Sequence, residues 1–243
     1  MKIIKLDAID STNDFLKNLS NQNETQNFTI VTAETQTKGK GQMGSKWISE
    51  SSKNLIVSIL EKKVLQNINQ IFDLNVAVAV SILQAIETLK IKKLSIKWPN
   101  DIMSGNKKIG GILIENVIKP NNIIFSIIGF GLNVNQTNFD DLPNASSLKN
   151  ITNKTFEKEL ILIKIIEFLE KNIDILKYNQ QDQLWELYHK LLYKKDKIIA
   201  FEDQKNEKFM GIIQKVTPSG KLVLMKENDI LQEYDVKEIK MLF

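Results

Sequence analysis

The chain has 243 residues, of which 42% are hydrophobic and 26% charged, with a formal net charge of +4. These proportions supply a buried core and fit one large domain, alone or with a small second one. The absence of cysteine and the single histidine exclude disulfides, thiolate nucleophiles and cysteine-based metal sites, which leaves lysine, aspartate, amide side chains and backbone amides to carry any chemistry.

The sequence pattern of the first 133 residues predicts both strands and helices. N-cap candidates in residues 10–14 precede a short helix at residues 15–19, and apolar side chains at helical spacing predict a long buried helix over residues 68–89. Strands are predicted over residues 1–9, 28–33, 54–60, 95–98, 108–118 and 122–133, with a turn at residues 119–122. A mixed β-sheet with packed helices, of the α/β (α+β) class, is the simplest architecture.

The rest of the chain changes from helices to short strands. Residues 135–150 are polar and are predicted to form a long loop, which makes them a candidate functional loop. Helices are predicted over residues 155–176 and 183–192. The apolar side of the first helix is predicted to contain Phe156, Leu160, Ile163, Ile166, Phe168, Leu169, Ile173 and Leu176. Strands that resemble a small barrel are predicted over residues 197–201, 209–216, 221–225, 230–234 and 238–242. The single histidine, His189, is expected to be structural.

A charged turn, residues 97–101 with the sequence Lys-Trp-Pro-Asn-Asp, lies between two apolar runs. Lys108 enters the second run just before Gly110 and Gly111. A lysine, an amide and a carboxylate beside glycines suit an anionic substrate with a metal nearby, because the glycines let a ligand approach the backbone. Burying Lys108 in an isoleucine-rich strand is costly without an anionic partner. The pattern predicts an enzyme that handles ATP.

Gly39, Gly41 and Gly44 match the spacing of a dinucleotide-binding fingerprint. That fingerprint opens a helix, whereas residues 45–58 predict more strand, so a Rossmann site is not expected. A flexible surface loop is one alternative. A mobile loop whose backbone amides cover a phosphate is the favoured interpretation.

Six sequence blocks occur in the order found in biotin-protein ligases, and the chain resembles that family over essentially its whole length. The blocks are Ser11-Thr12-Asn13, residues 39–47, Asn54-Leu55, residues 97–101, Lys108 with residues 110–115, and residues 129–133. The resemblance implies a catalytic domain over residues 1–193 and a small SH3-like β-barrel over residues 194–243. It also implies that biotin and ATP, with Mg²⁺, form biotinyl-5'-adenylate. Biotin then passes to a lysine of the biotin carboxyl carrier protein subunit of acetyl-CoA carboxylase or a similar biotin-dependent carboxylase.

The resemblance also implies roles for individual residues. Lys108 would contact the reacting oxygens, and Asp101 would orient the incoming amine or hold magnesium. The biotin contacts would come from Ser11, Thr12, Asn13, Gln36, Lys40, Gly41, Gln42 and Lys108. The nucleotide contacts would come from Gly39, Gly44, Trp47, Asn100 and Asn133, and Trp47 and Trp98 would wall the pocket.

Several of these residues also have a purely structural interpretation. Ser11 and Thr12 are candidates for helix capping, and Trp98 is a candidate core anchor. Gly129 and Gly131 would also permit a β-bulge. Lys97 is expected to be structural.

The glycine-containing loop departs from the family's arginine-rich pattern, because its basic positions hold Lys40, Gln42, Met43 and Ser45. Lysine cannot reproduce the bidentate pairing of an arginine with phosphate, so weaker retention of the adenylate is expected. Some family members carry an N-terminal helix-turn-helix that represses transcription. No DNA binding is expected here, because only about ten residues precede the first block.

Two alternatives stay open, a lipoate-protein ligase and a non-catalytic module that binds biotin or its adenylate. Octanoyl transferases that use a cysteine are excluded by composition. Residues 1–7 lack the features of a signal peptide, and no run approaches about 18 uninterrupted apolar residues, so a cytoplasmic location without membrane contact is expected. A monomer and a homodimer are equally compatible with the sequence.

Overall fold

The larger part of the fold is a seven-stranded mixed sheet. The computed structural model describes residues 2–21, 25–62, 64–65, 67–118 and 124–242. The strands of this sheet are β1 (Lys2–Ile9), β2 (Thr29–Gln36), β3 (Leu55–Glu61), β4 (Leu94–Lys97), β5 (Asp101–Ser104), β6 (Lys107–Ile118) and β7 (Ile124–Leu132). Their order is β1-β2-β3-β7-β6-β5-β4. Strands β1 and β2 are parallel and the other neighbours are antiparallel.

Five helices accompany this sheet, and the longest apolar one forms the centre of the core. They are α1 (Thr12–Ser20), α2 (Ile71–Glu87), α3 (Leu148–Thr152), α4 (Lys158–Lys177) and α5 (Asp182–Lys190). Helix α2 is buried along most of its length and contacts α4 and α5. Among the described residues, Ile68–Glu87 is the one segment long and apolar enough to cross a membrane by length and composition, and 61% of its apolar window is buried inside the fold. Such burial is typical of a core helix.

A second sheet of five antiparallel strands follows the helices. Its strands are β8 (Ile198–Asp203), β9 (Lys208–Val216), β10 (Leu222–Met225), β11 (Leu231–Tyr234) and β12 (Ile239–Met241), in the order β11-β10-β9-β8-β12. All five strands were predicted, and the α/β (α+β) class is confirmed. In the described residues no ladder joins β11 to β12 into a closed ring. The division of the chain at residues 193 and 194 stays a prediction.

The two sheets are held together by aromatic and polar contacts, and both contribute apolar side chains to one core, while a smaller cluster with Val31, Leu60 and Ile127 lies under α1. Trp98 Nε1 donates a hydrogen bond to Gly220 O at 2.8 Å. His189 Nε2 lies 2.9 Å from Val216 O, so the histidine links α5 to β9, as its predicted structural role requires. Phe72 and Trp185 stack with ring centroids 5.8 Å apart beside this junction. The C-terminal sheet is therefore fixed against the larger sheet.

Three sequence predictions about elements were wrong or incomplete. Strand β5 and helix α3 were not predicted, because four- and five-residue elements are too short to show a periodicity. The apolar side of helix α4 was predicted only in part. Ile166, Leu169, Ile173 and Leu176 are buried as predicted, whereas Leu160 and Ile163 are 64% and 49% exposed and the buried Ile161 and Ile165 were missed. Spacing does not distinguish exposed from buried apolar residues in these first turns. The turn predicted at residues 119–122 lies outside the described residues.

Candidate active site

A cavity of about 780 Å³ lies where the larger sheet meets the C-terminal sheet. Strands β6 and β7 supply its floor, and the start of α1, the loop of residues 39–47 (the glycine loop) and residues 97–101 supply its walls. Side chains from the C-terminal sheet and its turns complete the lining. Among the described residues, the lining contains a single carboxylate, Asp101, and the six lysines Lys40, Lys46, Lys97, Lys108, Lys237 and Lys240. This excess of positive charge favours an anionic ligand.

One end of the cavity is a cluster of neutral polar side chains around the N-terminus of α1. Ser11 caps the helix, because its Oγ accepts a hydrogen bond from Asp14 N at 3.3 Å. Thr12 N donates to Gln36 Oε1 at 2.8 Å, and the Thr12 hydroxyl lies 3.1 Å from the same oxygen. The fully buried Ser58 has its Oγ 2.8 Å from Thr12 Oγ1. Strand β2, strand β3 and α1 therefore fix this end jointly.

Asn13 is held by protein groups on both sides of its amide. Its Nδ2 donates to Glu115 Oε2 at 2.8 Å and to Leu113 O at 3.3 Å, and its Oδ1 accepts from Ser58 Oγ at 2.6 Å. The sequence singled out Asn13 for a direct ligand contact. The structure gives it a second task, which is to join α1 to β3 and β6. Ser58 and Glu115 were not assigned a role from sequence. Ser58 lies outside the six blocks, and Glu115 ends one of them but follows an apolar run that gives it no recognisable partner.

Glycines keep the floor of the cavity free of side chains. A Cβ at Gly129 would overlap the Asn13 amide, and a Cβ at Gly131 would overlap the indole ring of Trp47. Strand β7 keeps one register with β3 and with β6 across both positions, so the alternative prediction of a β-bulge there was wrong. The glycines are needed because two cavity-lining side chains lie directly on the strand.

Lys108 and Asp101 form an ion pair in the middle of the cavity. Lys108 Nζ lies 2.6 Å from Asp101 Oδ1, and the two side chains are 36% and 21% exposed, so a ligand can reach both. Lys108 Nζ also lies 5.9 Å from the centre of the Trp47 ring. The register between β5 and β6 shifts next to Lys108, and the backbone of Lys108 bonds to Asn144 O and to Ser146 N. The sequence singled out both charged residues but not their pairing.

Lys97 lines the same cavity beside this pair, although a structural role was predicted for it. Burial lowers the pKa of the Lys97 ammonium, and the nearby charges of Lys108 and Lys194 lower it further, while the charge of Asp101 raises it. Its place in the charged turn of residues 97–101 is the sequence signal that pointed to this location.

The residues predicted to bind a nucleotide fall into two groups. Asn100 and Trp47 line the cavity, and Asn100 Nδ2 donates to Ile112 O at 2.6 Å. Asn133, Gly39 and Gly44 are absent from the described lining. Asn133 is buried behind the cavity, where its Nδ2 donates to Ser146 O at 3.0 Å. In this arrangement Asn133 supports the segment beside Lys108 instead of facing a ligand.

The glycine loop forms a narrow hairpin over the cavity. Trp47 N donates to Gly39 O at 3.0 Å, and Gly41 N donates to Ser45 O at 2.7 Å. Lys40 Nζ forms an ion pair with Asp14 Oδ1 at 2.7 Å, which ties the loop to α1. Lys40, Gly41 and Gln42 all line the cavity, as their predicted contacts to a ligand require. A contact from Lys237 reaches the loop from the C-terminal sheet.

Trp98 is both a wall of the cavity and an anchor in the core, the two roles that the sequence suggested. It lines the cavity, and it packs against the hydrophobic core beneath.

Among the described residues, the histidine, aspartate and glutamate side chains form no cluster of three or more that could hold a resident metal ion. Asp101, the one carboxylate in the described lining, already has Oδ1 paired with Lys108. This donor set provides no all-protein cage for Mg²⁺, so the ion would be held chiefly by the phosphates of ATP, with Asp101 as the carboxylate of the lining that could join them.

Comparison with known proteins agrees with this geometry. A model of the biotin/lipoate A/B protein ligase family matches residues 6–133, which is more than half of the chain. The chain therefore belongs to that family.

Two curated relatives and one solved structure describe the likeness further. The bifunctional ligase/repressor BirA of Bacillus spizizenii is 32% identical over 174 residues, which cover 70% of this chain and 53% of the relative. The biotin–[acetyl-CoA-carboxylase] ligase of Mycobacterium tuberculosis is 27% identical over 198 residues, which cover 80% of this chain and 72% of the relative. The biotin protein ligase of Aquifex aeolicus in complex with biotin and ATP superposes with a TM-score of 0.81 at 24% identity, over 99% and 98% of the two chains. The match thus spans about half the length of the Bacillus relative, and the Aquifex likeness defines the fold.

Proposed function

We propose that this protein is an ATP-dependent biotin-protein ligase, which activates biotin as biotinyl-5'-adenylate and transfers it to a lysine of a carrier protein. The observation that carries the proposal is the ion pair of Lys108 and Asp101, exposed in the middle of a cavity lined by an excess of lysines. Family membership and the names of the relatives support the same reaction.

Biotin binds along the glycine floor in this proposal. Its polar ring system lies against Thr12 and Gln36, whose hydrogen-bonding groups match a neutral donor-and-acceptor head. Its carboxylate points to the ammonium of Lys108, which is the nearest cation in the middle of the cavity. Gly129 and Gly131 let the Asn13 amide and the Trp47 indole lie directly on β7, so these two side chains border the space for the flat ring and the chain between the two ends.

In the first step a carboxylate oxygen of biotin attacks the α-phosphorus of ATP. The new carbonyl–oxygen–phosphorus linkage forms as the bond to pyrophosphate breaks, and the pyrophosphate leaves as an anion. Negative charge accumulates between the two anionic groups in the transition state. Lys108 offsets that charge from a fixed position without transferring a proton, which is an electrostatic contribution to catalysis. Mg²⁺ enters with ATP as part of the substrate.

In the second step the amine of a carrier lysine attacks the carbonyl carbon of the mixed anhydride. The amide bond forms, the carbon–oxygen bond to phosphate breaks, AMP leaves, and the proton lost by the amine passes to solvent. Asp101 orients the incoming amine as a hydrogen-bond acceptor, because only its Oδ1 is engaged by Lys108. The carrier is the biotin carboxyl carrier subunit of acetyl-CoA carboxylase or of a similar carboxylase, and the reaction takes place in the cytoplasm without DNA.

Transfer to a purified biotin carboxyl carrier domain tests the proposal. The full chain is incubated with ATP, Mg²⁺ and either biotin or lipoate, and the mass of the carrier is measured. An increase by one biotinyl group, dependent on ATP and blocked when the acceptor lysine is changed to arginine, is expected. Modification by lipoate alone would replace the proposal with a lipoate ligase. No transfer and no adenylate from either acid would leave a binding module.

A further inference from the structure

The glycine loop is uncharged at its tip and depends on outside contacts for its position. The tip residues Gln42, Met43 and Gly44 form a short turn without a buried residue, in which Met43 has a left-handed φ of 54° and is 59% exposed. Two backbone hydrogen bonds close the base of the hairpin, and Ser45 N and Ser45 Oγ donate to Gln42 O at 3.2 and 2.9 Å within the tip. These bonds shape the loop but all lie inside it, so the position of the tip over the cavity depends on contacts from outside the loop.

A lysine from the C-terminal sheet supplies such a contact. Lys237 Nζ donates a hydrogen bond to Met43 O at 2.8 Å, although the two residues are 194 positions apart in the sequence. Both Lys237 and Met43 line the cavity, so the bond spans its mouth. Lys40, at the base of the loop, is tied separately to Asp14 of α1. The loop is thus held between the two parts of the fold.

The backbone of Lys237 is fixed before the bond is made. Lys237 lies in the turn between β11 and β12, where Glu238 N donates to Asp235 O at 3.1 Å and Asp235 N donates to Glu238 Oε2 at 2.7 Å. Its φ of 71° is in the left-handed region, which a residue other than glycine occupies at a cost. A fixed backbone reduces the entropy lost when a long side chain is held in one contact.

We propose that Lys237 is a positioning residue that clamps the tip of the glycine loop to the C-terminal sheet and so slows the escape of the adenylate from the cavity. The identity of the retained ligand rests on the function proposed above. The clamp takes over part of the retention that the loop's own side chains cannot provide, since Gln42 and Met43 carry no charge. The reactive anhydride then stays in the cavity until the carrier arrives.

The test compares the full chain with Lys237→Met and Lys237→Arg, and with Lys208→Met as a matched control. Methionine keeps the length of the side chain but removes the donor, arginine restores a donor, and Lys208 is an exposed lysine at the start of β9. The first measurement is amide hydrogen exchange of residues 41–47 without ligand. The second is the release rate of biotinyl-adenylate made in the cavity from labelled ATP and biotin.

Lys237→Met is expected to speed both exchange and release by about three- to tenfold, as the loss of one hydrogen bond predicts. Lys237→Arg and Lys208→Met are expected to stay near the values of the unchanged chain. Equal exchange and equal release in Lys237→Met would overturn the clamp while leaving the ligase activity standing. If the unchanged chain formed no adenylate, the proposed function would fail, and the exchange measurement would still decide whether Lys237 holds the loop.

Discussion

At the scale of single residues, the neutral end of the cavity depends on Ser58, a buried side chain that no ligand needs to touch. Ser58→Ala is expected to lower the free energy of unfolding by about 1–3 kcal/mol, because Asn13 Oδ1 loses its buried donor. It is also expected to weaken biotin binding, since Asn13 and Thr12 would no longer be held together. Chemical denaturation and calorimetric titration with biotin measure the two effects.

Ser126→Ala is the matched control for that change. Ser126 is equally buried, lies on β7 and donates one hydrogen bond, to Asn116 Oδ1 at 2.7 Å, away from the cavity. A similar loss of stability with unchanged biotin affinity is expected. If both variants bound biotin equally well, Ser58 would have no positioning role.

The glycines of the floor make a second prediction at this scale. Gly131→Ala is expected to displace Trp47 and to cost about 1–3 kcal/mol through overpacking, with a loss of biotin affinity. Gly111→Ala is the milder comparison, because its nearest neighbours would lie 3.4 Å away, in tolerable contact. Unfolding curves and biotin titrations of both variants measure these effects. A higher stability and biotin affinity in Gly131→Ala than in Gly111→Ala would contradict the prediction.

At the scale of elements, the glycine loop carries a neutral Gln42 at its tip, where the resemblance implies a basic residue. Gln42→Arg is expected to slow adenylate release by about fivefold, because a guanidinium fork binds phosphate through two hydrogen bonds. Gln42→Lys adds the charge without the fork and is expected to have a smaller effect. Release from a preformed complex gives the off-rates, and equal rates in all three proteins would show that the uncharged tip does not weaken retention.

The elements also show what the sequence can predict. Long strands such as β6 and β7 and the long helix α2 were predicted because each keeps one periodicity over many residues. The face of α4 was predicted except in its first turns, where Leu160 and Ile163 are exposed apolar residues that spacing does not distinguish from buried ones. Among site residues, Lys108 and Asp101 were recognisable from their charge beside glycines. Ser58, Glu115 and Lys237 were not, because their importance arises from contacts with residues distant in sequence.

At the scale of the whole molecule, the contact between α5 and β9 makes stability depend on pH. Burial lowers the pKa of His189, although its hydrogen bond to Val216 raises it in part. The unfolded chain therefore binds a proton before the folded one does, and stability is lost as the pH falls from about 6.5 through the native pKa. His189 is the only histidine, so no other imidazole contributes to this effect.

Denaturation between pH 5 and pH 7.5 measures this effect. The free energy of unfolding is expected to fall towards the acid end in the unchanged chain and to fall less in His189→Gln, which cannot gain the proton. Parallel curves for the two proteins would mean that His189 does not couple the docking of the C-terminal sheet to pH.

The cavity ties both sheets to one proposed reaction, in which Lys108 neutralises the charge that develops when biotin attacks ATP. The test compares Lys108→Gln and the double variant Lys108→Gln/Asp101→Asn with the unchanged chain. The double variant is included because Lys108→Gln alone leaves the Asp101 carboxylate without its cation in the cavity. The measurement is the single-turnover rate of biotin-dependent adenylate formation, followed by pyrophosphate release. A loss of about a hundredfold or more is expected in both variants. Biotin-dependent pyrophosphate release at an unchanged rate in the two variants, or none from the unchanged chain, would contradict the proposed role of Lys108.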